Sequence, residues 1–222
     1  MEEVAELGVW DAAGRMAAAL GDQDLERLRQ LSADEFWERT GREELSDVAG
    51  HAVAVTLLGA LGRRTLLDAE TPGAENERYV IEQQWTGSSV APVVEDQRLF
   101  TLADRAAIEA SGDTERIDRM ATKLAAQEAA TVYAAALARR DVSAATALWS
   151  AAFAGSYGEE VLPRMRTVTD AALIAAVGPR TLVRVWYEDA ADETAELLWR
   201  PDDGDGLRIR GARTFRRPEF IK

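Results

Sequence analysis

Met16-Ala-Ala-Ala-Leu-Gly-Asp-Gln-Asp-Leu25 and Tyr133-Ala-Ala-Ala-Leu-Ala-Arg-Arg-Asp-Val142 are the stretches on which the fold turns. They lie 117 positions apart. The same offset carries Leu31 onto Leu148, Phe36 onto Phe153, Gly41 onto Gly158, Glu43 onto Glu160 and Leu45 onto Leu162, without a gap. Alanine matches count for little in an alanine-rich chain. The Asp, Phe, Gly and Leu matches at constant spacing are the signature of an internal repeat. The register then slips by one. Leu61-Gly62 meets Val177-Gly178, and Arg64-Thr-Leu66 meets Arg180-Thr-Leu182. Further on, Trp85 meets Trp199 and Arg98-Leu-Phe100 meets Arg213-Thr-Phe215. The expectation is two diverged copies of one domain, spanning 1–110 and 115–222, with Ser111-Gly-Asp113 as the linker.

Each copy reads as helices followed by strands. Residues 9–21 and 116–139 have apolar spacing of helical period. A second helix holds Leu25, Leu28 and Leu31 in one copy and Val142, Ala145, Leu148 and Trp149 in the other. Asp24 and Asp141 stand where each begins and are expected to cap it. Ser32-Ala-Asp-Glu35 has the spacing of a capping box for a further short helix, with Gly41 and Gly158 as stops. A third helix is expected over Asp47–Leu61 and, shortened, over Asp170–Val177, ended by Gly62 and Gly178-Pro179. Strands follow at Arg64–Ala69, Arg78–Thr86 and Val93–Thr101, and at Thr181–Tyr187, Thr194–Arg200 and Leu207–Phe215. Turns fall at Pro72-Gly73, Asp189–Asp192 and Asp202–Gly206. Three strands joined by hairpins form a curved antiparallel sheet, and the helices must cover one of its faces.

Composition narrows the function. The chain has 222 residues, 47% hydrophobic and 29% charged, as in a soluble globular protein. No apolar run reaches the roughly 18 residues of a membrane span. The acidic start, MEEVAEL, is unlike a signal peptide, so no membrane partner and a cytoplasmic location are expected. There is no Cys and only one His, which leaves little for a metal centre or a thiol nucleophile. No Gly-rich phosphate loop or nucleotide fingerprint occurs, and Gly155-Ser-Tyr-Gly158 lacks the preceding strand of a nucleophile elbow. The expected cofactors and metals are none. Arg far outnumbers Lys, which occurs only at Lys123 and Lys222, pointing to a GC-rich bacterial genome. A net charge of −13 argues against nucleic acid. That charge is uneven, with 22 acidic against 10 basic residues in 1–111 and 17 against 16 in 112–222.

The order of elements resembles the nuclear transport factor 2-like superfamily, which includes ketosteroid isomerase, scytalone dehydratase, limonene epoxide hydrolase and the polyketide cyclases. The resemblance rests on Ala18–Leu25 leading to Leu31-Ser-Ala-Asp34, on Ala135–Val142 leading to Leu148-Trp149, on the helix before the first strand, and on Arg213–Pro218. It covers nearly the whole chain, twice. It implies an α+β protein of two tandem cone-shaped domains of cystatin-like outline, each with helices packed on a curved antiparallel sheet. Each cone would open at one end on an apolar pocket. Members pair through the outer faces of their sheets, so a fusion implies a pseudo-dimer within one chain, with higher oligomers open.

The resemblance also implies chemistry by a carboxylate or His that moves protons on a hydrophobic substrate. His51, the single His, and Asp34, in the first turn of a short helix, are the candidate catalytic groups. A half-buried helix histidine and a structural carboxylate are the competing readings. Trp10, Trp37, Gln83, Trp85 and Glu95 are the candidate ligand-binding residues, since a strand must turn either Gln83 or Gln84 inward. Asp68, Gln97 and Tyr79 are further inward candidates in the first copy, as are Tyr133, Arg184, Trp186 and Trp199 in the second. Glu70, Glu77, Glu82, Glu95 and Asp96 on the first sheet face Arg180, Arg184, Arg200, Arg208, Arg210 and Arg213 on the second as possible docking charges. The expected function is a small-molecule pocket protein acting on a hydrophobic metabolite, in its enzymatic form a cofactor-free isomerase, cyclase or dehydratase. The alternative is a non-catalytic binding or scaffold protein.

Overall fold

Asp24 and Asp141 begin equivalent helices by the same contact. Each carboxylate accepts from the backbone N–H three residues on, Arg27 N at 3.0 Å and Ala144 N at 3.0 Å, satisfying an orphan donor of the first turn. Gln23 and Arg140 hold φ of 57° and 56° just before these caps. Around the caps, a computed structural model describes residues 2–71, 78–202 and 206–217, with side chains from residue 7 onward. The expected Pro72-Gly73 turn, Glu77, residues 203–205 of the second turn and Pro218 lie outside the described residues.

The protein is α+β. The chain divides into two units, Met1–Phe100 together with the last residues from Phe215, and Thr101–Thr214. In the first, α1 (Glu2–Gly21), α2 (Leu25–Gln30), α3 (Asp34–Phe36), a wide turn (Trp37–Gly41) and α4 (Arg42–His51) precede four strands. These are β1 (Ala54–Leu61), β2 (Arg64–Glu70), β3 (Arg78–Ser88) and β4 (Ala91–Thr101), each beside the next in the sheet. In the second, α5 (Arg105–Ala110), α6 (Thr114–Ala138), α7 (Val142–Thr146) and α8 (Ala151–Met165) precede β5 (Val168–Val177), β6 (Arg180–Tyr187), β7 (Glu193–Pro201) and β8 (Leu207–Arg216), again in consecutive order.

Several expectations are corrected. The third helix of each copy was expected to run through Asp47–Leu61 and Asp170–Val177. Residues 54–61 and 168–177 are instead strands β1 and β5, so each unit has four strands. Both are short apolar runs, in which burial on two faces erases the alternation that marks a strand. Gly62 (φ 56°) and Gly178 (φ 50°) turn β-hairpins and do not stop helices. Ser32 does not cap α3, because its hydroxyl donates to Leu28 O at 2.8 Å. Gly41 and Gly158 lie inside helical segments. At Gly41 a Cβ would come within 2.5 Å of the Phe36 ring, so glycine is required by close packing. Ser111-Gly-Asp113 falls within the second unit, where Asp113 caps α6.

Register within each sheet is pinned by a buried indole. Trp85 Nε1 donates to Thr65 Oγ1 at 2.8 Å, and Trp199 Nε1 donates to Thr181 Oγ1 at 2.8 Å. Each Thr lies on the neighbouring strand, Thr65 opposite Gln83 and Thr181 opposite Leu197. Alternation then turns Ile81, Gln83 and Trp85 to one face and Glu82 and Gln84 to the other. The first face carries Leu67, Ala69, Ile81, Trp85 and Val94 against Met16, Leu20, Phe36, Leu45 and Val48 of the helices. In the second unit Val183, Val185, Leu197, Trp199 and Ile209 pack against Tyr133, Leu137, Trp149, Phe153 and Met165.

The opposite faces hold paired charges. Glu82 takes Arg64 at 2.6 Å and Arg98 at 3.2 Å. Glu196, at the matching place, takes Arg180 and Arg213. Arg184 pairs with Asp192, Arg210 with Asp202, and Glu95 accepts from Gln84. These members of the expected docking set therefore have partners within their own unit.

Thr65→Val and Thr181→Val keep the side-chain shape and remove the acceptor of a buried N–H. Each is expected to cost about 1–3 kcal/mol of stability in urea denaturation. A neutral result in both would mean that the indole bonds do not hold the register.

Candidate functional site

His51 closes α4 with its side chain 66% exposed, and its Nδ1 lies 2.8 Å from Asp47 O. A carbonyl oxygen can only accept, so Nδ1 donates in that bond. Asp34 is 84% exposed and pairs with Arg29, whose guanidinium also sits 5.9 Å from the Trp37 ring centroid. Trp37 and His51 border one open hollow of about 610 Å³, lined otherwise by Glu38, Arg39, Thr40, Arg42, Glu43, Ser46 and Asp47. Nothing in that lining excludes water from a reacting group. Asp34 and His51 are thus on the surface of the first unit, outside its apolar interior. Trp10 is half-buried on α1.

The interior of the first unit is filled by large side chains. Trp85, Phe36, Met16, Leu20, Leu28, Leu45, Leu67 and Ile81 are each less than 2% exposed. Of the expected ligand-binding residues, Trp85 and Gln83 face this interior and Glu95 does not meet them. Glu95 is half-buried and accepts from Gln84 at 2.8 Å. Asp68 is buried against Arg78, and Gln97 donates to Glu44 at 2.6 Å. Gln83 is fully buried, and neither its amide nitrogen nor its amide oxygen has a hydrogen-bond partner.

The second unit places different groups on the corresponding face. Glu193, at the start of β7, is 5% exposed. It accepts from the Tyr187 hydroxyl at 2.6 Å and from Arg164 at 2.6 Å. The Arg164 guanidinium lies 5.0 Å from the Tyr187 ring centroid. Burial opposes the Arg164 charge, but Glu193, Tyr187 and Glu160 outweigh it and raise its pKa. Burial, and then the Glu193 acceptor and its charge, push the Tyr187 phenol well above its ordinary value. Tyr133 on α6 is buried edge-on to Trp199, with centroids 6.4 Å apart, and desolvation pushes its phenol up to about 12. Trp149 stands edge-on to Phe153 at 5.2 Å. Tyr133 was among the sequence candidates, whereas Glu193, Tyr187 and Arg164 were not.

Matched positions show how far the units differ here. Cross-strand pair Leu67/Ile81 corresponds to Val183/Ala195, and Gln83 to Leu197. At the offset of 117 Met16 meets Tyr133, Leu28 meets Ala145 and Asp47 meets Arg164, and in the register of Trp85 and Trp199 Tyr79 meets Glu193. Leu45 is fully buried, whereas its counterpart Leu162 is half-exposed. The second interior has thus exchanged aliphatic volume at three places for aromatic volume at Tyr133 and Trp149, and carries Glu193 at one end. No protein-family model matches the chain, nor does any curated protein. Among the described residues no helix is long and apolar enough to cross a membrane.

Gln83→Leu places in β3 the residue that β7 already carries and removes two unpaired buried atoms. It is expected to raise stability by about 1–3 kcal/mol in urea denaturation. A loss of stability would mean that the amide is satisfied in solution.

The Tyr133 shift gives an alkaline test. The unfolded phenol ionises near 10 and the folded one near 12, so its stabilising contribution is complete below pH 10 and is lost as pH rises through 12. Tyr133→Phe has no such loss. The stability of the wild type relative to Tyr133→Phe should therefore fall by about 1 kcal/mol between pH 9 and pH 11. A constant difference would contradict burial of this hydroxyl.

Proposed function

We propose that the chain is two diverged copies of one domain of the nuclear transport factor 2-like kind, and that it is a small-molecule pocket protein. On this reading the second copy holds a hydrophobic ligand and the first is a filled support. The support for it is the asymmetry at matched positions. Apolar pockets with a few convergent polar groups are the usual form of a small-molecule site. The second unit has that composition, with half-buried Leu162, Leu173, Tyr187 and Ala195 beside the buried Glu193 and Tyr133. The first unit replaces the polar cluster and fills the matched space with Leu28, Leu67 and Ile81.

The groups available for chemistry are a carboxylate, Glu193, and a phenol that donates to it, Tyr187. An isomerase, cyclase or dehydratase step would use Glu193 to relay a proton. The Arg164 ion pair orients the carboxylate with one oxygen bonded to each partner. His51 and Asp34 have no part in this reading.

The test uses the full chain and the fluorescent ketone 2-acetylnaphthalene as probe. Ala195→Ile rebuilds in β7 the residue found at Ile81 and should weaken binding about tenfold or more through overpacking. His51→Ala should leave affinity unchanged. Circular dichroism checks that both variants fold, and Ala195→Val serves if the larger residue does not. Full affinity in the Ala195 variants, or loss of it in His51→Ala, would move the site away from the second unit.

A further inference from the structure

Six tryptophans are present, and three of their indoles are buried in β- or helix-borne cores: Trp85, Trp149 and Trp199. Two of these donate to a threonine hydroxyl at 2.8 Å. Trp149 is the exception. It is 8% exposed, and its Nε1–H has no acceptor. An indole is a donor only, so nothing but an acceptor can satisfy it, and a buried donor left unmade is rare in native structures.

The backbone around Trp149 repeats in the first unit. Ser32 bridges Val94 in parallel register, and Trp149 bridges Ile209 in the same way. At this shared position Ser32 is satisfied by Leu28 O at 2.8 Å. The second unit has replaced a satisfied hydroxyl by an unsatisfied indole. The ring is braced by Phe153. The Tyr133 hydroxyl is close enough for a contact with Trp149 to lower its pKa against the larger effect of burial, although the pair does not meet hydrogen-bonding geometry. Its matched residue in the first unit is Met16, which has no hydroxyl.

Resting on the pocket reading above, we infer that Trp149 Nε1–H is a ligand-binding donor, and that the ligand is an apolar molecule carrying a neutral acceptor oxygen such as a carbonyl. The two charges of the cluster, Arg164 and Glu193, neutralise each other, which favours a neutral oxygen over a carboxylate. An indole N–H gives direction to an otherwise non-directional apolar contact and so selects against the matching hydrocarbon.

The experiment compares 2-acetylnaphthalene with 2-ethylnaphthalene on the full chain. The wild type should bind the ketone about fivefold to tenfold more tightly. Trp149→Phe keeps a ring and removes the donor. It should bring the two affinities within about twofold while leaving that of the hydrocarbon unchanged. In the wild type the Trp149 Nε1–H resonance, assigned by its absence from the variant, should move downfield with the ketone and not with the hydrocarbon. A packing role alone would not produce that difference. If Trp149→Phe does not fold, selective isotope labelling assigns the resonance in the wild type and the shift decides. Equal affinity for the two probes, or an indole resonance that ignores the ketone, overturns the inference and leaves the pocket reading standing. Failure of both probes to bind overturns the two together.

Discussion

In each unit a buried indole N–H is met by a threonine one strand away. This bond sets the parity of the pairing between β2 and β3 and between β6 and β7. A slip of one residue would turn every side chain to the other face. In the first unit it would drive Glu82 into the apolar core and send Ile81 out of it. The clamp therefore decides which residues become core, which become paired charges and which end inside the helix-covered face. The same contact at the same length occurs in both units, and in both it joins the second and third strands.

Once parity is set, the two faces follow different physics. On the face away from the helix core, Glu82 and Glu196 are nearly inaccessible and each meets two arginines. Removing either carboxylate would leave like charges facing each other in a poorly solvated place, a change that costs several kcal/mol in comparable buried pairs. On the helix-covered face the unit with large aliphatic residues is closed by them. Both units carry buried alanine at matched helix positions, Ala13, Ala17 and Ala19 on α1 and Ala130, Ala134 and Ala136 on α6, and the second has a tyrosine where the first has Met16.

Much of the local structure was legible because short-range rules carried it. Asp24 and Asp141 cap helices as their sequence context implied, and the six expected strands lie within a residue or two of β2, β3, β4, β6, β7 and β8. The α+β class follows from the same pattern. Misreadings arose where local signals are ambiguous. The runs at 54–61 and 168–177 are apolar enough to serve a buried helix or a strand, and only their partners decide. Ser32 shows the same limit, since its hydroxyl bonds backward to Leu28 and not forward. For the site, residue type drew attention to His51, yet the chain leaves that ring in solvent. Glu193 escaped notice because Arg164, Tyr187 and Glu193 are brought together only by folding. A usable signal was nonetheless present: aligned positions that change chemical type, as from Asp47 to Arg164 and from Tyr79 to Glu193.

Repetition separates structural polarity from the other kind. The Arg–Glu–Arg groups and the Trp–Thr bonds occur in both units at matched positions and hold the strands of each. The Tyr187–Glu193–Arg164 group is not matched in kind, since Tyr79 and Asp47 stand in the first unit where the second has Glu193 and Arg164. Replacing a buried ion pair by apolar residues of similar volume is often neutral or stabilising, so stability is a weak account of the group. On the pocket reading proposed above, that polar cluster and the indole donor of Trp149 belong to the ligand-facing surface. The same comparison assigns Gln83 differently. It is the mirror case, a polar residue in the filled unit where the other has Leu197, and no cluster of polar partners surrounds it.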